Sequence, residues 1–145
     1  MHRHMPMVSA TALAALLSLS CGASAQLALS ANDGKVVLVD GVNTVPANPA
    51  PDSVTVIDLN ATPPKTVAEI PVSTSVVGPP SSVAIARDES FALVTGAMKL
   101  DPADPKKLVP DDKLSVIDLK ASPPKVSSQL QAGKGAAGGG GAVIG

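Results

Sequence analysis

An internal repeat constrains this chain more than any other feature of its sequence. Residues 53–65 and 113–125, which lie 60 positions apart, share Val-Ile-Asp-Leu, an alanine and Pro-Pro-Lys at equivalent places. Upstream, residues 31–41 align with residues 86–96 at a spacing of 55 positions. We expect the spacing to change in the intervening loops, 42–52 and 97–112, because loops tolerate insertions. The sequence therefore predicts two copies of one structural unit.

A third copy begins near the C-terminus. Residues 138–145 lie 60 positions after residues 78–85 and end in a similar short apolar stretch, and the segment 133–141 is of low complexity and rich in glycine. We therefore divide the chain after the leader into a first unit (26–80), a second unit (81–132) and a tail that starts a third unit (133–145).

Each copy is predicted to contain four short strands, and no helical periodicity occurs outside the N-terminal segment. The predicted strands are 27–31, 35–39, 54–59 and 66–70 in the first copy, and 82–86, 91–95, 114–119 and 125–130 in the second. The Asn32-Asp33-Gly34 sequence predicts a tight hairpin between the first two strands. Val54 and Val56 face one way and Ile57 and Leu59 the other, which predicts sheets covered on both faces.

Four-stranded units that repeat and bury both faces are typical of β-propeller blades, which pack between neighbours around a central channel. The predicted fold is therefore all-β, with about two four-stranded propeller blades and the start of a third, preceded by a signal helix. Two hairpins in a sandwich, or an open meander, are the alternatives.

Three motifs support a family resemblance. They are Ser-Val-Thr-Val-Ile-Asp-Leu at 53–59, the Asp-Gly-Lys turn at 33–35 before an apolar run, and Gly-Pro-Pro-Ser-Ser-Val-Ala-Ile at 78–85. Together they resemble the YVTN-type β-propeller repeat over residues 27–132. That repeat is similar to those of lactonase-like propellers and of propeller subunits of some quinoprotein dehydrogenases. The resemblance implies a closed ring, and rings generally have about 4–8 blades. Two blades do not close a ring, so we expect either part of a longer propeller or several short chains that share one ring.

The first 25 residues are predicted to be a secretory signal. Arg3 gives a weakly basic start, and the apolar stretch 10–19 is too short to span a bilayer. Ala23-Ser24-Ala25 supplies a small-x-small pattern, so cleavage is predicted between Ala25 and Gln26. The product is expected to be periplasmic or secreted, without a transmembrane segment. A lipid anchor on Cys21 and an uncleaved anchor are the alternatives.

Composition excludes several kinds of chemistry for the exported chain. Both histidines and the single cysteine lie within the first 21 residues, and the chain has no tyrosine or tryptophan. After cleavage the chain lacks the side chains of Ser-His-Asp or Cys-His nucleophilic sites, of thiolate or imidazole zinc sites and of disulfides. No catalytic residue and no cofactor are predicted. The formal net charge is −1, and beyond Lys106-Lys107 the basic residues are not clustered, so nucleic-acid binding is not predicted.

The candidate functional surface consists of the loops that join strands two to three and four to one. These loops are 42–52, 97–112, 71–81 and 131–140. One of them carries carboxylates, which suit Ca²⁺. Weak candidates for a metal site are Asp101, Asp104, Asp111 and Asp112. Their irregular spacing beside proline also fits a solvated loop with aspartates at turn positions.

Four other aspartates have a structural interpretation. Asp58 and Asp118 occupy equivalent places in Val-Ile-Asp-Leu and are predicted to accept backbone N–H groups where each strand ends. Asp33 and Asp88 are predicted to be turn residues.

The predicted function is that of an exported β-propeller repeat protein that acts as a binding or scaffold module without catalysis. Its partner would be an unidentified protein or small molecule on the loop face. One alternative is a fragment of a lactonase-like or dehydrogenase-subunit propeller whose active residues lie in other blades. Another is that the 145-residue product has no function of its own.

Overall fold

The computed structural model describes residues 26–75 and 82–133, and every regular element in these ranges is a β-strand. The strands are β1 (Leu27–Asn32), β2 (Val37–Val39), β3 (Val42–Thr44), β4 (Ser53–Asp58), β5 (Lys65–Pro71), β6 (Val83–Ile85), β7 (Phe91–Thr95), β8 (Met98–Asp101), β9 (Asp104–Pro110), β10 (Lys113–Asp118) and β11 (Lys125–Gln131). The prediction of an all-β chain is confirmed. The predicted signal segment, 1–25, and the predicted start of a third copy, 138–145, lie outside the described residues.

Seven of these strands form two antiparallel sheets. Sheet A has three strands in the order β1-β4-β5, and sheet B has four in the order β11-β10-β7-β6. The repeated Val-Ile-Asp-Leu motif lies on β4 and β10, which pair with a strand on each side. Its β-branched valine and isoleucine suit this position, because they pack well on a pleated surface. The other four strands form two separate hairpins, β2–β3 and β8–β9.

The two sheets share local details that place their strands in equivalent positions. A register shift occurs in the pairing with the next strand after Val56 in β4 and after Val116 in β10. The turns that follow β4 and β10 carry the Pro-Pro pairs, and each has a cis peptide bond before its first proline. The amide of Leu59 donates to the Gln26 carbonyl, and the amide of Leu119 donates to the Ser90 carbonyl.

Strand pairing corrects the predicted alignment of the upstream segments. Leu27 pairs with Asp58 at the end of β4, and Phe91 pairs with Asp118 at the end of β10. Thus β1 is the equivalent of β7 at a spacing of 64 positions, and the predicted spacing of 55 positions was wrong. The segment 27–31 was expected to be the first strand of a copy, but it occupies the place of the second.

The predicted tight hairpin at Asn32-Asp33-Gly34 was also wrong, as was the assignment of 35–39 to the sheet. Within that range only Val37–Val39 is a strand, and it pairs with β3 instead of β1. The tight turn lies at Asp40-Gly41, where both residues have positive φ, 49° and 81°. Two consecutive left-handed residues match the right-handed twist of a short hairpin, and glycine adopts this conformation without strain.

The segments 42–52 and 97–112, predicted to be loops, contain strands. They hold β3, β8 and β9. Strand β9 contains Pro105 and Pro110, neither of which can donate a backbone N–H group to a ladder. A two-stranded hairpin has an open edge on each strand, however, so β9 accommodates both prolines. The four strands predicted for the second copy are confirmed as β6, β7, β10 and β11, which form one four-stranded antiparallel sheet.

Sheets A and B pack face to face through faces that are not equivalent. We call the front of sheet A the face that carries Leu29, Val54, Val56, Ala68 and Ile70. It packs against the back of sheet B, the face that carries Ile85, Ala92, Val94, Ile117 and Leu119. These side chains form the hydrophobic core. Burial of one Val or Ile side chain stabilises the fold by about 1.5–3 kcal/mol.

The two remaining faces are less buried than their equivalents, most clearly at two pairs of equivalent positions. The front of sheet B carries Phe91, Leu93, Leu114, Val116 and Leu130, and the back of sheet A carries Ala28, Ser30, Thr55, Ile57 and Leu59. Ile70 is 6% exposed, whereas its equivalent Leu130 is 54% exposed; Leu119 is 7% exposed, whereas its equivalent Leu59 is 43% exposed. Among the described residues, the front of sheet A and the back of sheet B form the core, and the prediction that both faces of each sheet are covered stays a prediction.

Candidate functional site

Both hairpins lie at the same end of the two sheets, which we call the hairpin end. Because β1 and β4 are antiparallel, the end of β1 and the start of β4 are neighbours, and the β2–β3 hairpin joins them. The β8–β9 hairpin joins β7 to β10 in the same way. The segment 72–75, which follows β5, lies between the bases of the two hairpins, since Ser73 contacts Asp111 and Thr74 contacts Asp52. This is the face on which function was predicted.

A buried ammonium group organises the base of the first hairpin. The Lys35 Nζ lies 2.8 Å from Asp52 Oδ2 and 3.1 Å from Asp33 Oδ1, and it also donates to the Thr74 carbonyl. The three acceptors match the three N–H donors of a lysine ammonium. Lys35 is thus a structural cation that joins the hairpin to the segment after β5.

The carboxylate of Asp52 ties together the chain segments around this cation. Its Oδ1 accepts from the Gly34 amide at 3.2 Å, and its Oδ2 accepts from the Thr74 amide at 3.2 Å. At Gly34 a Cβ atom would lie 2.5 Å from the Pro51 carbonyl oxygen, so the chain approaches itself too closely for any other residue. The glycine therefore lets the two ends of the hairpin meet.

A second charged cluster lies at the base of the β8–β9 hairpin. The buried Asp111 accepts from Ser73 Oγ at 2.7 Å and from the Asp112 amide at 3.0 Å, and Lys99 Nζ is 3.3 Å from its Oδ1. Burial alone would raise the pKa of Asp111, but these two hydrogen bonds and the Lys99 charge together hold it below its usual value. Asp111 therefore remains a carboxylate and fixes the hairpin to Ser73.

The lysines of the two charged clusters are related by the repeat, whereas their carboxylates are not. Lys35 and Lys99 lie 64 positions apart, the spacing that also relates β1 to β7. Sequence reasoning missed this pair because it aligned the upstream segments at 55 positions. The pattern Leu-Ala-Leu-Ser at 27–30 and Phe-Ala-Leu-Val at 91–94 was the signal that could have found the 64-residue spacing.

A groove opens between the two hairpin segments. It has a volume of about 350 Å³, within the range of small-molecule sites. Its walls are mainly apolar, and the lining residues are Val45, Pro46, Ala47, Pro49, Pro105 and Lys106. Within the described ranges no carboxylate lies within ion-pair distance of the Lys106 ammonium. The groove therefore offers apolar walls and one available positive charge.

The four aspartates named as weak metal candidates lie at different places on the β8–β9 hairpin. Asp101 accepts from the Ala103 amide at 2.9 Å, and Asp104 accepts from the Lys106 amide at 3.1 Å and pairs with Lys107. Both lie at the tip of the hairpin. Asp111 and Asp112 lie at its base. In the part of the chain that the structure describes, no three His, Cys, Asp or Glu side chains are grouped so as to hold a metal ion.

The aspartates that close each Val-Ile-Asp motif accept backbone amides as predicted. Asp58 accepts from the Asn60 amide at 2.8 Å, and Asp118 accepts from the Lys120 amide at 2.9 Å. Both lie at the end opposite the hairpins.

Of the two predicted turn aspartates, Asp88 bonds within its own turn. It accepts from the Ser90 hydroxyl at 2.6 Å and from the Ser90 amide at 3.0 Å, and these bonds lower the pKa of Asp88. Asp33 accepts from the Lys35 amide at 3.2 Å in the segment between β1 and β2, where the predicted tight turn does not form.

Residues 26–75 and 82–133 form strands and turns, so none of their segments is a helix that could cross a membrane. Comparisons of the chain with family models, with curated proteins and with solved structures gave no match.

Proposed function

We propose that the chain is an exported repeat module of the β-propeller type that binds a ligand at its hairpin end without transforming it. The observation that carries this proposal is the front-to-back packing of two equivalent sheets with both hairpins at one end. In a two-fold sandwich the two sheets would bury equivalent faces. Here Ile70 is buried and its equivalent Leu130 is exposed, which favours the stacking of successive units found in propellers.

The leader pattern at 1–25 supports export. The absence of histidine, cysteine, tyrosine and tryptophan after residue 25 supports binding over catalysis. At the hairpin end Lys35 is paired with Asp52 and Lys99 with Asp111. Lys106, which lines the groove, has no ion-pair partner among the described residues.

The groove fits a small apolar carboxylate. Its proline, alanine and valine walls would bury an apolar body, and Lys106 would pair with the anionic group. An ion pair that is partly shielded by apolar walls is stronger than one in bulk water, since the local dielectric constant is lower. This ligand class follows from the chemistry of the lining.

A titration with 3-phenylpropionate tests the proposed site, with the neutral 3-phenylpropanol as the matched ligand. We expect saturable amide NMR shifts at residues 45–49 and 104–107 with the carboxylate. Lys106→Gln should weaken its binding about tenfold, because a hydrogen bond to a charged group contributes about 1.5–3 kcal/mol.

Lys107→Gln is the matched control, since Lys107 pairs with Asp104 and does not line the groove. It should leave the affinity unchanged. Equal binding of the acid and the alcohol, or shifts confined to other parts of the chain, would contradict the proposed site.

A further inference from the structure

The chain exposes both halves of an interface that it also forms internally. The internal interface joins the front of sheet A to the back of sheet B. The front of sheet B and the back of sheet A are equivalent to these two faces but lie outside the core among the described residues. Leu130 on the front of sheet B is 54% exposed and Leu59 on the back of sheet A is 43% exposed, and the apolar residues beside them are half-buried. Among its described residues each chain thus has one front and one back that do not pack against another sheet, which we call the unused front and the unused back.

The unused back resembles the back that is already buried. Ala92, Ile117 and Leu119 lie in the core, and their equivalents on sheet A are the identical residues Ala28, Ile57 and Leu59. The internal interface also buries Ser115, the equivalent of Thr55, so a hydroxyl at this position is compatible with packing. The buried Ser115 hydroxyl accepts from Gln129 Nε2 at 3.2 Å.

The unused front resembles the front that is already buried. Val54 and Val56 correspond to Leu114 and Val116, so the same or a larger apolar side chain is present at each place. Leu130 is 54% exposed at the position of the buried Ile70. A cluster of aliphatic side chains on one sheet face is typical of an interaction surface.

We propose that the front of sheet B binds the back of sheet A of a second copy of this chain. Such contacts are head to tail, so successive copies form a ring if the rotation closes. The occupant is the second copy because its sheet A presents the same Ala-Ile-Leu set that the internal interface buries. The inference rests on the front-to-back packing that also supports the proposed function.

Two single substitutions separate the two halves of the interface. Leu130→Lys places a charge on the front of sheet B, and Leu59→Lys places one on the back of sheet A. Both positions are substantially exposed within one copy, so the variants should fold. Each variant alone should associate at least about tenfold more weakly than the unchanged chain, because the contact would bury an unpaired charge.

Mixing the two variants gives the decisive result, measured on the purified full chain by sedimentation velocity. The Leu59→Lys copy keeps an intact front and the Leu130→Lys copy keeps an intact back. Head-to-tail association predicts a 1:1 complex in the mixture with an affinity close to that of one unmodified contact. The complex should not grow, because its other two faces carry the substitutions.

Three results would overturn the proposal. One is an unchanged chain that stays monomeric at high concentration. Another is a Leu59→Lys chain that still self-associates while Leu130→Lys does not, which indicates front-to-front pairing. The third is association that is lost in the control Leu38→Lys, a variant on the exposed β2–β3 hairpin. The phenylpropionate titration is independent of these results, so failure of self-association and failure of the binding groove can be told apart.

Discussion

Lys35 is a buried charge whose three N–H donors all have acceptors. Two carboxylates and one carbonyl surround its ammonium, and each comes from a different place: Asp33, Asp52 and Thr74. An ion pair of this kind offsets a large desolvation cost and is strongly destabilising when one partner is removed, since the other charges stay buried. Lys35 therefore holds the first hairpin to the segment after β5 only while its ammonium and all three of its acceptors are present.

Substitution of the two equivalent lysines should have unequal effects. Lys35→Ala should lower the free energy of unfolding by about 3–5 kcal/mol, because it leaves buried carboxylates without their cation. Lys99→Ala should cost about 1 kcal/mol or less, since the Lys99 side chain is 42% exposed. Urea denaturation of both variants at pH 7 measures the difference. Equal losses would contradict the structural role given to Lys35.

Asp111 should make stability depend on pH. Its folded-state pKa is lowered from the ordinary value of 3.8, so its contribution is present above about pH 4 and is lost as the pH falls through the folded-state pKa. Asp111→Asn should lower the free energy of unfolding by about 1–3 kcal/mol at pH 7, and the difference from the unchanged chain should narrow towards pH 3.

Urea denaturation of Asp111→Asn at pH 7, 4 and 3 tests this expectation. The matched control is Asp112→Asn, one residue further along, which leaves the contacts of the Asp111 carboxylate with Ser73 and Lys99 in place and should lower the free energy of unfolding at pH 7 less than Asp111→Asn does. A difference for Asp111→Asn that stays constant with pH would contradict the lowered pKa.

At the scale of elements, the central strands could be predicted and the hairpins could not. β4 and β10 carry an apolar, β-branched motif that repeats at 60 positions, and their ends are marked by Asp58 and Asp118. In these strands the residues both favour the strand conformation and are buried in the sheet. In the hairpins the two do not coincide, because Val37, Leu38 and Val39 are exposed and β9 contains two prolines.

The hairpin error also displaced the alignment of the first strand. The apolar run 36–39 has the composition of a buried strand, so the sequence alignment matched it, instead of β1, with β7. Only strand pairing shows which alignment is correct, since Leu27 rather than Val36 occupies the place of Phe91. The charged clusters were not predictable for the same reason: Lys35 and Lys99 are equivalent only in the 64-residue alignment.

At the scale of the whole molecule, the same register position is core in one sheet and surface in the other. Ile70→Ala should therefore lower the free energy of unfolding by about 2–5 kcal/mol, the range for large-to-small changes in a core. Leu130→Ala should change it by about 0.5 kcal/mol or less at protein concentrations at which the chain is monomeric. Thermal and urea denaturation of the two variants provide the test, and comparable losses would contradict front-to-back packing.

Front-to-back packing also affects how such a chain can lengthen. Each sheet has a front that fits the back of the next sheet. An in-frame duplication of about 60 residues, the repeat spacing seen here, would therefore add a sheet whose two faces match those of its neighbours. In a two-fold sandwich the two sheets pack through equivalent faces, so no matching face is left for a third sheet. A duplication or deletion of one unit would therefore need no new kind of interface, because every unit packs on its neighbour through the same pair of faces.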